Sequence, residues 1–312
     1  MPLALFPHEL PRPIREYGSL KVRTRVYRRE HGFLWHRTRM HRTTADDPLG
    51  CFTGNASLVP GTRQGDTFAY LLEVPFTLGE VVLQAWDKND MSALSACFTE
   101  VGTLLRRVRT SAPAPSSWPP PLGASHLRDW LRHPDRADPG ARHRLHVAMR
   151  DSIGSARMGE LDSWVDQLTR PAKDSVPLHG EFSLSALVAG RDGGPVRLLI
   201  GETVARGPLE YDVGWVLGEL AEWSDLAAED DTPLDALGRA LLCAAGPRVD
   251  LGRLGRVVVL RRLMHVIDYA SYVGWSELLV PYIESMPELI DSHGTSTLTR
   301  MHLTDLWETP QP

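Results

Sequence analysis

The sequence predicts an α+β chain, a small β-rich lobe followed by a larger helical lobe. Three observations carry that expectation. From Tyr17 to Met40 apolar and basic residues alternate in steps of two, the period of a half-buried strand. From Asp90 onward apolar residues recur at three- and four-residue steps, the period of an amphipathic helix. Within that helical half, Leu178 to Ile200 return to a compact strand–turn–strand pattern. Residues 1–86 are assigned to the β-rich lobe and 87–312 to the helical lobe.

Leu20, Val22 and Val26, followed by Phe33 and Trp35, predict a hairpin turning at His31-Gly32. Thr43 to Asp66, rich in Asp, Gly, Asn and Pro, reads as a loop. "TFAYLLEVPF" and "EVVLQAW" then read as two further strands. Met91, Leu94, Phe98, Val101, Leu105 and Val108 form a helical stripe, with Asn89 or Asp90 placed to cap it. "SAPAPSSWPPPLG" interrupts regular structure, and "HLRDWLRH" and the run 141–170 resume it as helix. Past the hairpin, whose turn is "GRDGG", two more helical stripes follow. One is Val213, Val216, Leu217, Leu220 and Trp223, the other Val257, Leu260, Met264 and Ile267.

Composition narrows the function classes. Apolar content of 42% with 23% charged residues is that of a globular chain rather than a disordered one. A net charge of −5 gives no reason to expect nucleic acid as a partner. Only Lys21, Lys88 and Lys173 are lysines among 34 basic residues, so lysine-dependent chemistry has three candidates. Cys51, Cys97 and Cys243 are odd in number and widely spaced, which fits a reduced cytoplasmic protein and argues against a thiolate zinc site. No stretch approaches the roughly 20 apolar residues that span a bilayer, so no membrane is expected as a partner.

The order of motifs is specific. "HGE" at His179–Glu181 precedes the hairpin and "RGPLEYD" at Arg206–Asp212 precedes a helix. This arrangement resembles the aminoglycoside phosphotransferase and choline-kinase branch of the kinase-like fold, and implies a two-lobed protein-kinase-like architecture. In that family the first motif ends in an Asp that orients and deprotonates the acceptor hydroxyl. An Asn five residues later and an Asp after the hairpin hold magnesium on ATP. Here His179 and Gly180 match, Glu181 replaces the acid, Ala186 stands at the Asn and Ile200 at the second metal ligand. Glu202 is the nearest carboxylate able to take a metal. Arg206 and Asp212 match as structural positions. Lys21, with Arg23 and Arg25 beside it, is the candidate nucleotide or anion contact, but only Gly18 precedes it where a phosphate loop needs several glycines.

Alanine and isoleucine offer magnesium no oxygen, and phosphoryl transfer is mostly positioning and charge stabilisation. The resemblance is therefore to a degenerate, pseudokinase-like member, with Glu181 and His179 as candidate catalytic positions and no cofactor expected. Arg261 to Trp275, "RRLMHVIDYASYVGW", resembles kinase-like proteins of class V lanthipeptide and thioamide-peptide pathways. That likeness implies a precursor peptide, a second biosynthetic enzyme, or both, as partners, with Glu181 assisting dehydration, elimination or cyclisation. Two alternatives stay open. One is an active divergent phosphotransferase using ATP and magnesium, with Glu202 on the metal; the other is a structural subunit. His143 and His146 share a helix face without a Cys or Glu partner, so no metal site is expected there. His265 and Asp268 read as a hydrogen-bonded pair. The arginine strip Arg23, Arg25, Arg28, Arg29, Arg37, Arg39 and Arg42 reads as a solvated face or a cradle for an anion.

Overall fold

A computed structural model describes residues 5, 11–18, 22–39, 56–88, 90–110, 114–134, 140–170, 172–192, 194–226, 233–246 and 249–308. Strands β1 (Arg15–Gly18), β2 (Val22–Arg28), β3 (Phe33–Arg39), β5 (Thr62–Gln64) and β6 (Thr67–Leu72) form an antiparallel sheet in the order β1-β2-β3-β6-β5. The predicted hairpin is β2–β3, with Arg28 opposite Phe33. Gly32 makes the turn at φ +85, where a Cβ would lie 2.5 Å from the Leu72 carbonyl oxygen. Between β3 and β5, β4 (Leu58–Pro60) leaves this sheet. It runs parallel to β9 (Arg197–Ile200) of the helical lobe, whose antiparallel partner is β8 (Leu187–Val188).

Two expectations are corrected here. The loop assigned to Thr43–Asp66 contains β4 and β5; its residues 43–55 lie outside the described residues. The segment "EVVLQAW", expected as a strand, lies within helix α1 (Leu78–Asp87). Thr77 and Glu80 decide it through a reciprocal capping box. Thr77 Oγ1 accepts from the Glu80 N–H at 3.2 Å, and Glu80 Oε2 accepts from the Thr77 N–H at 2.9 Å. Leu78, Val81 and Val82 then share one buried face while Leu83 is exposed, a helical and not an alternating distribution.

The helical lobe comprises α2 (Leu94–Thr110), α3 (Leu122–Arg132), α4 (Ala141–Thr169), α5 (Glu210–Leu226), α6 (Pro233–Ala245), α7 (Leu251–Tyr272), α8 (Val280–Asp291), α9 (Thr295–Arg300) and α10 (Asp305–Glu308). Leu94, Phe98, Val101, Leu105 and Val108 are buried as the periodicity requires. Asp90 accepts from Ser92 in a turn before α2 and does not cap the helix itself; Asn89 lies outside the described residues. α4 breaks at Gly154, which stands at φ +76. Gly214 and Gly218 let α5 close on α7: a Cβ at either would meet Val257 or Arg261 side-chain carbons at 2.6 Å. Among the described residues no helix is long and apolar enough to cross a membrane.

The two lobes share one core. Val26, Trp35, Phe68 and Tyr70 of the sheet pack with Val188 and Leu199 of the hairpin in a single buried cluster, and the partly buried Val74 and Val59 close its sides. The Trp35 indole N–H donates to the Val74 carbonyl, in the segment that joins the lobes, at 3.2 Å. Backbone bonds add to this: Leu198 N–H donates to Ser57 and Gly61 N–H to Ile200, at 2.8 and 2.9 Å.

Candidate functional site

β7 (Val176–Leu178), paired with β10 (Ala205–Gly207), delivers the chain into the His179-Gly180-Glu181 turn. Gly180 has φ +87, and a Cβ there would lie 2.0 Å from the Thr203 carbonyl oxygen, so the turn accepts glycine only. Asp212 lies in the first turn of α5, which begins at Glu210. Its carboxylate accepts the backbone N–H groups of His179 and Gly180 at 2.6 and 3.0 Å. It therefore braces the turn from inside the first turn of α5, not from the cap position. Burial pushes the Asp212 carboxyl up to about 7, against the pull of the N–H groups of His179, Gly180 and Phe182.

His179 is buried, and its Nε2 lies 2.8 Å from the Leu199 carbonyl, which only accepts, so Nε2 carries the proton. Nδ1 has no hydrogen-bond partner among the described residues. Burial pushes the imidazole down, which leaves a neutral ring that stands edge-on to Phe182. Its contacts organise the turn. The Arg206 guanidinium reaches the Ala172 and Ser116 carbonyls at 3.2 and 3.4 Å and ties the proline-rich connector to the motif.

The centre of the cleft is a closed charge network. Arg37 Nε donates to Glu202 Oε1 at 2.5 Å, and the Tyr70 hydroxyl donates to the same oxygen at 2.8 Å. Arg37 Nη1 also donates to the Ser185 carbonyl at 2.9 Å. Arg39 Nη1 donates to Glu181 Oε2 at 3.1 Å and stands 4.0 Å from Glu202 Oε2. The Arg37 and Glu202 side chains are 8% and 6% exposed, so this pair is desolvated. Burial raises the Tyr70 phenol, and the neighbouring Glu202 carboxylate raises it further. Burial works against the Arg37 charge, but Glu202 outweighs it and the guanidinium rises above its ordinary value.

These residues do not fit a magnesium site. Ala186 is buried on the cavity wall and Ile200 in the core beneath, neither with a side-chain oxygen. Glu202, the expected spare metal carboxylate, has its Oε1 taken by Arg37 and Tyr70, and the Arg39 guanidinium stands 4.0 Å from its Oε2. Among the described residues no cluster of His, Cys, Asp and Glu could hold a metal. Lys21 lies outside the described residues. Arg23 and Arg25 pair with Glu16 on the opposite face of β2 from Thr24, which lines the cavity. Sequence reading missed Arg37 and Arg39 as inward residues, although a signal existed. On β3 they share parity with Phe33 and Trp35, the apolar face of "FLWHRTR".

Beside the network opens a cavity of about 380 Å³, with Glu181, Ser183, Trp215, Met264 and Asp268 on its walls. Arg261 of α7, partly buried on the same wall, donates to Glu219 at 2.9 Å, while Glu219 accepts the Leu184 N–H of the motif loop at 2.8 Å. His265, expected to bond Asp268, places Nδ1 3.4 Å from Glu222 Oε2 and stacks on Tyr282. His146 packs edge-on against Trp130.

Burial pushes the Glu222 carboxyl from 4.5 up to about 7; Arg261 and Arg262 oppose the rise, and Glu219 and Asp225 add to it. A carboxyl raised on folding stabilises fully below its unfolded value and loses that contribution as pH climbs through its folded value. The unfolding free energy is expected to fall between pH 5 and pH 8, and Glu222→Gln to flatten that fall in urea denaturation at stepped pH. An unchanged slope in the variant contradicts the assignment.

No protein-family model and no curated protein matches the chain. Solved structures do. A spectinomycin phosphotransferase, in complex with ADP and spectinomycin, aligns over 93% of this chain and 92% of its own, with a TM-score of 0.54 at 9% identity. The chain has a kinase-like fold. A choline/ethanolamine kinase family protein from Mesorhizobium loti aligns over 99% of this chain and 93% of its own, at TM-score 0.50 and 13% identity. The two-lobed architecture expected from the motifs is therefore present: a β-rich sheet first, then the larger helical lobe. Within the kinase-like fold, this chain sets a buried arginine–glutamate–tyrosine network beside the His-Gly motif.

Proposed function

We propose that this is a kinase-fold protein without standard Mg–ATP phosphotransfer, a holder of a precursor peptide, a partner enzyme, or both, in a peptide-modifying pathway. The observation that supports it is the Arg37–Glu202–Tyr70 network. The Arg37 guanidinium pairs with Glu202, the carboxylate nearest the second ligand position, and neutral Ala186 and Ile200 stand at the positions of the ligands that phosphate-bound magnesium needs. The assignment to thioether- or thioamide-peptide biosynthesis in the cytoplasm rests on the resemblance of Arg261–Trp275.

In this reading Glu181, 18% exposed on the cavity wall, is the carboxylate that meets the peptide. In an elimination it takes the α-proton, the α-carbon electron pair forms the double bond, and the β-oxygen leaves with an activating group that another enzyme has installed. The test is mass spectrometry of a basic Ser- and Thr-containing peptide incubated with the chain, ATP and magnesium. The expected peptide mass is unchanged; gain of a phosphoryl group overturns the reading.

A further inference from the structure

Ile14, Arg15, Glu16 and Tyr17, four consecutive residues leading into and along β1, line one groove of about 700 Å³. Successive strand side chains point to opposite faces, so a groove that touches four in a row runs along the edge of the strand. β1 stands last in the sheet order: it pairs with β2 on one side and, among the described residues, with no strand on the other. An edge of this kind presents unpaired main-chain donors and acceptors. Across the groove lie the start of α1, Leu184 and Ser185 of the motif loop, and the α5–α7 seam.

Four carboxylates line the walls, and three of them are paired: Glu16 with Arg23 and Arg25, Glu80 with Arg15, and Glu219 with Arg261, which leaves Glu222 as the carboxyl with an unsatisfied oxygen. His265 adds no positive charge, since burial pushes its imidazole down to about 4. Glu222 is 4% exposed, yet its Oε1 accepts no hydrogen bond among the described residues; the Arg261 guanidinium stops 3.7 Å away. A buried carboxylate oxygen left unbonded is costly, and a cationic donor from outside would satisfy it.

We propose that this groove binds an extended, Lys- or Arg-bearing peptide segment as a sixth strand on β1, with one basic side chain seated on Glu222. The proposal rests on the peptide-holding reading above and adds the peptide's chemistry and its mode of binding. Main-chain pairing supplies affinity, and alternate side chains supply selectivity. Tyr17, Ser185, Glu219 and Arg261 line both this groove and the Glu181 cavity, so a strand on β1 leads into that cavity.

The test uses the full chain and a capped peptide of alternating Lys and Val, followed by fluorescence anisotropy and by hydrogen exchange of residues 15–18. Two analogues are N-methylated, one at every Lys amide and one at every Val amide, and a third replaces Lys by Glu. Expected results are slowed exchange at β1, loss of binding for one N-methylated analogue, and negligible binding of the Glu peptide. Glu222→Gln should weaken the Lys peptide about tenfold, the loss of one charge-assisted hydrogen bond. Binding with no protection of β1, or equal binding of both N-methylated analogues, overturns strand pairing while the peptide-holding reading stands. Equal binding of the Glu peptide overturns the charge assignment. Absence of binding by any of the peptides overturns both readings.

Discussion

Arg37→Ala is expected to lower the unfolding free energy by about 3–5 kcal/mol, the cost of stranding one member of a buried ion pair. Arg37 and Glu202 are both nearly fully buried and 2.5 Å apart, and the Tyr70 hydroxyl donates to the same Glu202 oxygen. Removing the guanidinium leaves a desolvated carboxylate with one neutral donor and the Ser185 carbonyl without its Arg37 bond. The three-way replacement Arg37→Met, Glu202→Leu and Tyr70→Phe removes the charges together and is expected to recover most of the loss, because paired burial of charge is only weakly stabilising against an apolar isostere. Urea denaturation reads both. A loss below about 1 kcal/mol for Arg37→Ala, as for an exposed pair, would place the network in solvent and remove the support it gives the proposed function.

Gly180→Ala is the second large effect, with an expected destabilisation of about 3 kcal/mol or more, since positive-φ strain and overpacking each cost about 1–3. The added Cβ would sit 2.0 Å from the Thr203 carbonyl oxygen, and the backbone at φ +87 disfavours any L side chain. Moving Gly180 also moves the N–H that Asp212 holds at 3.0 Å. The change should therefore loosen the whole motif loop, and exchange of the His179 and Gly180 amides should quicken. Near-native stability of Gly180→Ala would show that the turn can relax without cost.

The scaffold was more legible in the sequence than the site. His179, Gly180 and Asp212 could be placed because they stand in two motifs that resemble the family's, although Asp212 accepts amides more than thirty residues upstream. The stripes of α2, α5 and α7 were legible because burial imposes their period. Helix α1 was misread because "EVVLQAW" is rich in β-favouring residues, while the capping box that overrides them begins upstream at Thr77. β4 pairs with a strand about 140 residues later in the chain, so local pattern carries almost no trace of it.

The charge network was hidden for a similar reason. Arg37 and Glu202 are 165 positions apart, and an arginine-rich strand reads as solvated until its parity with Phe33 and Trp35 is weighed. Ala186 and Ile200, without side-chain oxygens, could be read directly from the motif. The network beside them could not, because Arg37 and Tyr70 come from the other lobe.

In the proposed function, side chains of this chain stand where a kinase would hold phosphate-bound magnesium. Calorimetric titration of the purified chain with ATP in the presence and absence of magnesium tests it most directly. No heat of binding is expected in either arm. Magnesium-dependent binding of ATP at submicromolar affinity would contradict it.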